Sequence, residues 1–362
     1  MPESSVQRRV AVIGGGVVGC ATAYQLARCG FAVTVFERDA IAAHASSRNA
    51  GNLNPLQGTP PALIPFALEA FRLHAQIRAE LTELGCAHCI AVPTGRIFLG
   101  YDAAERARLH DIAALFAGTA GFSASWLESH ELRRIESRLA RDTAFGVLAE
   151  GNLAIDGHGF TRSLADGASL MGCSIVYESV LGVASRGDRA VGVNTANGMI
   201  ACDDLVLATG PWVAQTTSWL GVAVPVEPLK GEILLVRMPQ QLPKYDLTWG
   251  ETSIYRRGEG EVWVGTTMEK CGFDETPTAE AKEALLTRAA RMMPDLRGAA
   301  VLKHFAALRP MSGVGAPIAA RASGWQNVYI ANGGGSKGLL LSVAIGRQIV
   351  GLLRDGRDAR SN

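Results

Sequence analysis

Charge of one sign is what this sequence most clearly lacks. Its 362 residues carry 35 Lys and Arg against 34 Asp and Glu, a formal net charge of +1. Such a balance suggests neither nucleic acid nor an acidic surface as a partner, and none is expected. No apolar signal region heads the chain, which begins "MPESSVQRRV", and no apolar run reads as long enough to cross a bilayer. These absences lead to an expectation of a cytoplasmic protein, with attachment at the membrane periphery left open. The seven cysteines are odd in number and scattered, which fits reduced thiols rather than a disulfide framework. "CAHC", Cys86 to Cys89, has zinc-like spacing but no second pair downstream, so no metal site is expected. There is no internal repeat, low-complexity tract or Pro/Ser linker. A Ser/His/Asp set is also missing: the seven histidines are dispersed, and only His304, shortly before Arg309, stands near a residue with chemistry to do.

What is present begins at the amino terminus with "RRVAVIGGGVVGCATAYQLARCGFAVTVFERD". Val10 to Ile13 form an apolar run suited to a parallel strand buried on both faces. Gly14, Gly16 and Gly19 complete a G-x-G-x-x-G pattern that includes Val17 and Val18. A helix continues from there to Gly30, and a second strand, "AVTVFE", ends at Glu37, followed by Arg38. Gly14 makes the tight turn, Gly16 admits a pyrophosphate to the backbone, Gly19 lets helix and strand pack closely, and Glu37 accepts ribose hydroxyls. Strand, helix, second strand and terminal acid in register identify a dinucleotide site. The motif alone does not choose between NAD and FAD. The next stretch, "AIAAHASSRNAGNLNP", is a small-residue loop where an NAD enzyme would usually start another βα unit. Ser46, Ser47, Arg48 and Asn49 offer donors there, with Gly51 and Leu53 just beyond, and this density favours a cofactor contact.

Near the other end stands "ANGGGSKGLLLSVAIG". It fails as a nucleotide phosphate loop, because Ser336 precedes Lys337 where a Ser or Thr should follow the lysine. Its physics still holds: "NVYIAN" reads as a buried strand, Gly333 to Gly335 allow backbone to approach a ligand, and a helix starts near Gly338. A helix start carries unpaired N–H groups and partial positive charge.

Taken together, these segments resemble the FAD-dependent D-amino-acid oxidase family, and within it the glycine oxidase branch. The resemblance runs nearly end to end through "VIGGGVVG", "SSRNAGNLNP", "DLVLATGPW", "VPVEPLKGEILLV", "GEGEVWVGTTME", "ALRPMSG" and "GGGSKGLLL". It implies an α/β fold: a Rossmann-like FAD domain (residues 1–85, 145–220 and 308–362) interleaved with a substrate domain (86–143 and 221–307). The substrate domain is expected to rest on an antiparallel sheet with helices. Val180 matches the position whose backbone meets adenine, and Thr209, Gly210 and Trp212 close the strand beside the cofactor. The last glycine loop and helix are implied to abut the flavin ring, with Lys337 either adding positive charge there or remaining a solvated loop lysine. FAD is expected without a covalent link, since Arg48 stands where relatives with a histidyl bond carry His.

The resemblance also implies chemistry: oxidation of the C–N bond of a small amino or imino acid to an imine that hydrolyses. Arg309 matches the arginine that binds the substrate carboxylate, by a two-pronged contact. Met268 matches a methionine bordering the substrate, though an ordinary core methionine is the competing reading. The branch places a tyrosine where this chain has Ser253, and Tyr255, two residues on and on the same strand face, is the available substitute. After "RP" the usual Asp-Gly is missing and Val314 takes the acid's place. Both departures bring N-substituted glycines and opines into view beside glycine and D-amino acids. Two other readings stand: 2-hydroxy acid oxidation, which needs a base, and a flavoprotein subunit of a larger complex. An NAD-dependent dehydrogenase would leave the C-terminal glycine loop unexplained. Oxygen, a quinone or a partner protein could take the electrons, and either a homo-oligomer or a hetero-complex is open.

Overall fold

A computed structural model of the chain describes residues 7–358. Two large sheets and one small one organise it. The first has six strands, in the order Ile318–Arg321, Val328–Asn332, Asp204–Leu207, Arg9–Ile13, Ala32–Phe36 and Ser174–Val176. All neighbours are parallel except the edge strand Ile318–Arg321. The apolar run of Val10 to Ile13 is buried on both faces, as its composition requires. One face is covered by the helices Val17–Arg28, Gly157–Leu170 and Gly338–Asp358, with Ile64–Glu83 packed on them. The other is covered by a three-stranded antiparallel sheet, Gly182–Arg186, Arg189–Thr195 and Gly198–Ala201. Strand Arg9–Ile13 is flanked by the next strand in sequence on one side and by Asp204–Leu207, far along the chain, on the other. The order therefore reverses beside it, and α/β sheets bind ligands at such switch points.

The second sheet has nine strands and is mostly antiparallel. Its path runs Val301–Ser312, Val226–Arg237, Glu261–Gly265, Thr252–Arg256, Asp246–Trp249, Val92–Gly100, Phe145–Ala154 and Asn52–Leu53, with Ser123–Glu128 also paired to Phe145–Ala154. Helix Ala279–Met292 covers one face through Leu285, Ala289 and Met292. The other face turns towards the first sheet. Three segments read from the sequence as part of the cofactor domain, Asn52–Leu53, Phe145–Ala154 and Leu308–Ser312, hydrogen-bond into this second sheet instead. The chain thus crosses between the sheets repeatedly, and the space between them is walled by both.

The C-terminal segment Gly335–Asp355 is, by length and composition, apolar enough to cross a membrane, with a mean hydropathy of 1.3. This corrects the expectation that no run is long enough. In the fold, Leu340, Val343, Ala344, Ile345 and Ile349 are buried in the core against the first two helices.

Candidate active site

The cofactor cradle is built by backbone. Strand Arg9–Ile13 ends at Gly14, whose N–H donates to the Phe36 carbonyl at 2.8 Å. Gly14 has φ +112°, and a Cβ there would overlap the carbonyl of Ala208 on the neighbouring strand. Only glycine adopts this turn without strain. Helix Val17–Arg28 starts immediately afterwards, and the N–H of Val17 donates to Ser46 Oγ at 2.9 Å. Ser46 therefore fastens the small-residue loop to the helix start. At the end of Ala32–Phe36, Glu37 accepts from the N–H of Gly15 at 2.7 Å and of Asp39 at 2.9 Å. Its carboxylate shapes the glycine turn besides facing the cavity.

A cavity of about 740 Å³ runs from this cradle to the second sheet. The sequence-derived residues Gly14, Gly16, Val17, Val18, Glu37, Arg38, Ser46, Arg48, Asn49 and Gly51 all line it. So do Val180, Thr209, Gly210, Trp212, Gly334, Gly335, Ser336, Lys337 and Gly338. Four others do not. Gly19 lies behind the turn, where a Cβ would overlap the Gly14 carbonyl. Ser47 turns its hydroxyl to the His44 carbonyl, Leu53 is fully buried opposite Leu153, and the Gly333 N–H donates to Asn332 Oδ1.

At the cavity's far end the C-terminal loop makes a single 3₁₀ turn, Gly335–Lys337, and then the long helix. Two helix starts thus open on one cavity, each with partial positive charge. Lys337 is no solvated loop lysine. Its Nζ donates to the carbonyls of Asn54 and Gln57, and burial, reinforced by repulsion from Arg96, pulls its pKa down to about 7. The buried Thr209 Oγ1 has no partner among the described residues. A turn that excludes a Cβ, two helix starts, an acid at the strand end and an unpartnered hydroxyl fit a bound dinucleotide.

The second sheet supplies Arg309, Tyr255 and Ser253, and the segment after Glu261–Gly265 supplies Met268, all lining the same cavity. Arg309 lies across Gly231 on the adjacent strand, where a Cβ would overlap its guanidinium. Its Nη1 donates to the Thr267 carbonyl at 3.1 Å, and no carboxylate of the described residues is within ion-pair distance. Burial lowers its pKa, opposed by Tyr255. Ser253 is buried and shares a 2.8 Å hydrogen bond with Thr248, so its hydroxyl is already occupied. Met268 is 52% exposed, so it is not a core methionine. His304 is absent from the cavity wall; its Nε2 lies 2.7 Å from the buried Glu232. Among the described residues no group of three His, Cys, Asp or Glu could hold a metal ion.

Among the cavity residues that escaped the sequence reading, one carries a charge deep in the wall. Arg96, on Val92–Gly100, is 3% exposed and faces the Tyr255 ring at 5.0 Å. The signal was a lone arginine inside "TGRIFLG", where the following residues are apolar.

The chain matches the family profile of FAD dependent oxidoreductases, abbreviated DAO, over residues 9–352. It belongs to that family. Glycine oxidase of Pseudomonas aeruginosa is 30% identical over 371 residues, covering 98% of this chain and 96% of that protein. The crystal structure of glycine oxidase from Geobacillus kaustophilus superposes with a TM-score of 0.89 at 27% identity, covering 96% of this chain and 95% of that one. Iminodiacetate oxidase from Chelativorans sp. BNC1 gives a TM-score of 0.85 at 25% identity, with the same coverage of 96% and 95%. This chain is an FAD-dependent oxidoreductase, and the cavity between its sheets holds the residues suited to that cofactor.

Proposed function

We propose that the protein oxidises the C–N bond of a small amino or imino acid. The observation that carries this reading is Arg309: a half-buried guanidinium with no carboxylate partner among the described residues, in the same cavity as the FAD cradle. A buried cation is costly unless paired, so a substrate carboxylate supplies what the protein withholds. The relatives named glycine oxidase and iminodiacetate oxidase support the same class.

When bound, FAD supplies a two-electron acceptor for the hydride leaving the substrate's α-carbon. The chain's own residues have the remaining tasks. Gly14, Gly16 and Glu37 would hold the dinucleotide, and the Gly335 to Gly338 segment would line the cavity at its other end. Arg309 fixes the carboxylate, and the walls formed by Tyr255, Ser253 and Met268 exclude water and set the substrate's angle. The lone pair on the amine drives loss of the α-hydrogen, so no protein base at carbon is required. An alcohol needs a base to take its hydroxyl proton, and this favours the amine. The one histidine on the described wall, His44, has both ring nitrogens bonded to carboxylates, Asp39 and Glu275. The division into a cofactor domain and an interleaved substrate domain goes with this assignment of roles.

The test is an anaerobic screen. Glycine, D-amino acids, N-substituted glycines and 2-hydroxy acids are each added to the purified yellow protein. Bleaching by an amino or imino acid is expected, and bleaching by hydroxy acids alone would overturn the reading. Admitting oxygen, or adding a quinone, then identifies the electron acceptor. We expect FAD without a covalent link: no cysteine lines the described cavity, and the ring nitrogens of its histidine, His44, are taken by Asp39 and Glu275. Acid precipitation should leave the colour in the supernatant, and colour in the pellet would refute this.

A further inference from the structure

Arg96 carries more positive charge into the cavity than the protein neutralises. Its nearest carboxylate, Asp246, is its direct partner in register on the adjacent strand. The closest approach is 3.7 Å, between Nη2 and Oδ2, too long for a hydrogen bond. Asp246 is fully buried and already engaged: it accepts the N–H of Arg256 at 2.8 Å and Nη1 of Arg257 at 3.1 Å. One buried carboxylate therefore faces two guanidiniums. The Nε and Nη2 of Arg96 have no hydrogen-bond partner among the described residues. The other carboxylates on the described wall are Glu37 and Glu178, beside the cofactor cradle, and the exposed Glu251.

Arg309 and Arg96 reach the cavity from strands well apart in the second sheet. Four strands intervene between theirs in the sheet order. Five spacings of about 4.8 Å put the backbones roughly 24 Å apart on a flat sheet. Curvature and the long side chains bring both into one cavity, each beside Tyr255: Arg96 over its ring and Arg309 within electrostatic reach of its hydroxyl.

We infer that the substrate carries two carboxylates, one on each side of its amine, with Arg309 taking one and Arg96 the other. The class is an N-(carboxyalkyl) amino acid. This rests on the amino-acid reading and names the substrate within it. The reaction is unchanged: a C–H bond breaks, its hydride goes to FAD, and the amine proton is lost as C=N forms. Water then splits the imine into an oxo acid and a primary amino acid.

The test uses the holoenzyme and two unreactive ether probes, diglycolate with two carboxylates and methoxyacetate with one. Binding is read from perturbation of the flavin absorbance and by calorimetry. Wild type should bind diglycolate roughly tenfold to a hundredfold more tightly, the effect of one charge-assisted contact. Arg96→Met should collapse that ratio, and Arg96→Lys should restore part of it. The kcat/KM ratio of iminodiacetate to glycine should follow the same order. Equal affinities in wild type, or a ratio unmoved in Arg96→Met, overturns the inference. If Arg96→Met fails to hold FAD, the wild-type ratio and Arg96→Lys decide. If neither amino acid bleaches the flavin while hydroxy acids do, the amino-acid reading itself has failed. If glycine bleaches it and the second carboxylate brings no gain, only this inference has.

Discussion

Lys337 Nζ donates to the carbonyls of Asn54 and Gln57 at 2.8 and 2.9 Å, so the last glycine loop is tied to the segment after the first βα unit. The bond joins two stretches of sequence that both line the cofactor cavity. It also satisfies this half-buried ammonium: two carbonyls accept its hydrogen bonds, where no carboxylate of the described residues does.

The first prediction follows from that burial. The folded pKa of about 7 lies below the ordinary lysine value of 10.5. Between those values the unfolded chain binds more protons, so this group's contribution to stability rises with pH across the window. Below about 7 the full cost of the buried charge is present. In FAD-free protein, the stability of wild type relative to Lys337→Met should climb from pH 7 to 9.5. The slope is at most about 1.4 kcal/mol per pH unit. Urea unfolding at several pH values checks it, and a flat difference would mean that Lys337 keeps its proton throughout.

The glycine turn gives the second. Gly19 does not touch the cavity, yet a Cβ there would overlap the Gly14 carbonyl. Gly19→Ala must push the helix away from the strand or deform the turn, and either moves the N–H groups that face the dinucleotide. The purified protein should be colourless, or should bind added FAD at least tenfold more weakly by fluorescence titration. Normal FAD content would show that the helix can shift without disturbing the cradle.

Much of this was legible in advance because local pattern and function coincide. The first glycine motif is read from contiguous residues, and Gly14, Gly16 and Glu37 all line the cavity. Arg309 was reached through the resemblance, and its side chain lies in the cavity. What escaped depends on long-range pairing. Phe145–Ala154 joins the second sheet through Val92–Gly100, which no local pattern reveals. Arg96 matters only because Asp246, its distant neighbour along the chain, is already occupied by Arg257. The lysine of the last loop looked equally suited to solvent until Asn54 and Gln57 were found beside it.

A third prediction concerns the segment from Thr266 to Thr278, which carries Met268 over the cavity. Glu232 is fully buried, accepts from the N–H and hydroxyl of Thr278 at 2.9 and 3.1 Å, and pairs with the buried Lys230 at 3.3 Å. Lys230 Nζ in turn donates to the Thr276 carbonyl at 3.2 Å. Glu232→Ala leaves the buried ammonium only the more distant Glu269, at 3.9 Å, and frees the segment. Breaking such a pair from one side costs about 3–5 kcal/mol. Urea unfolding should register that loss, and KM should rise because the segment no longer holds its place. An unchanged urea midpoint would show that Lys230 finds another partner.

The last prediction tests the substrate anchor. Arg309 sits on Val301–Ser312, where the second sheet meets the cofactor cavity, and its guanidinium rests on Gly231 across the strand pair. If it holds a substrate carboxylate, truncation leaves that carboxylate buried without its partner, at about 3–5 kcal/mol. Each 1.4 kcal/mol is tenfold, so Arg309→Ala should lower kcat/KM by roughly two to three and a half orders of magnitude. Arg309→Lys should recover only part, because an ammonium cannot make the two-pronged contact. Gly231→Ala should mimic the defect without removing the charge, since its methyl group occupies the guanidinium's place. FAD content should stay normal in all three. The control is an amine lacking the carboxylate, which wild type should oxidise poorly and Arg309→Ala no worse. Equal damage to both substrates would make Arg309 a structural residue, because a group that only supports the sheet has no means of telling a carboxylate from a hydrogen.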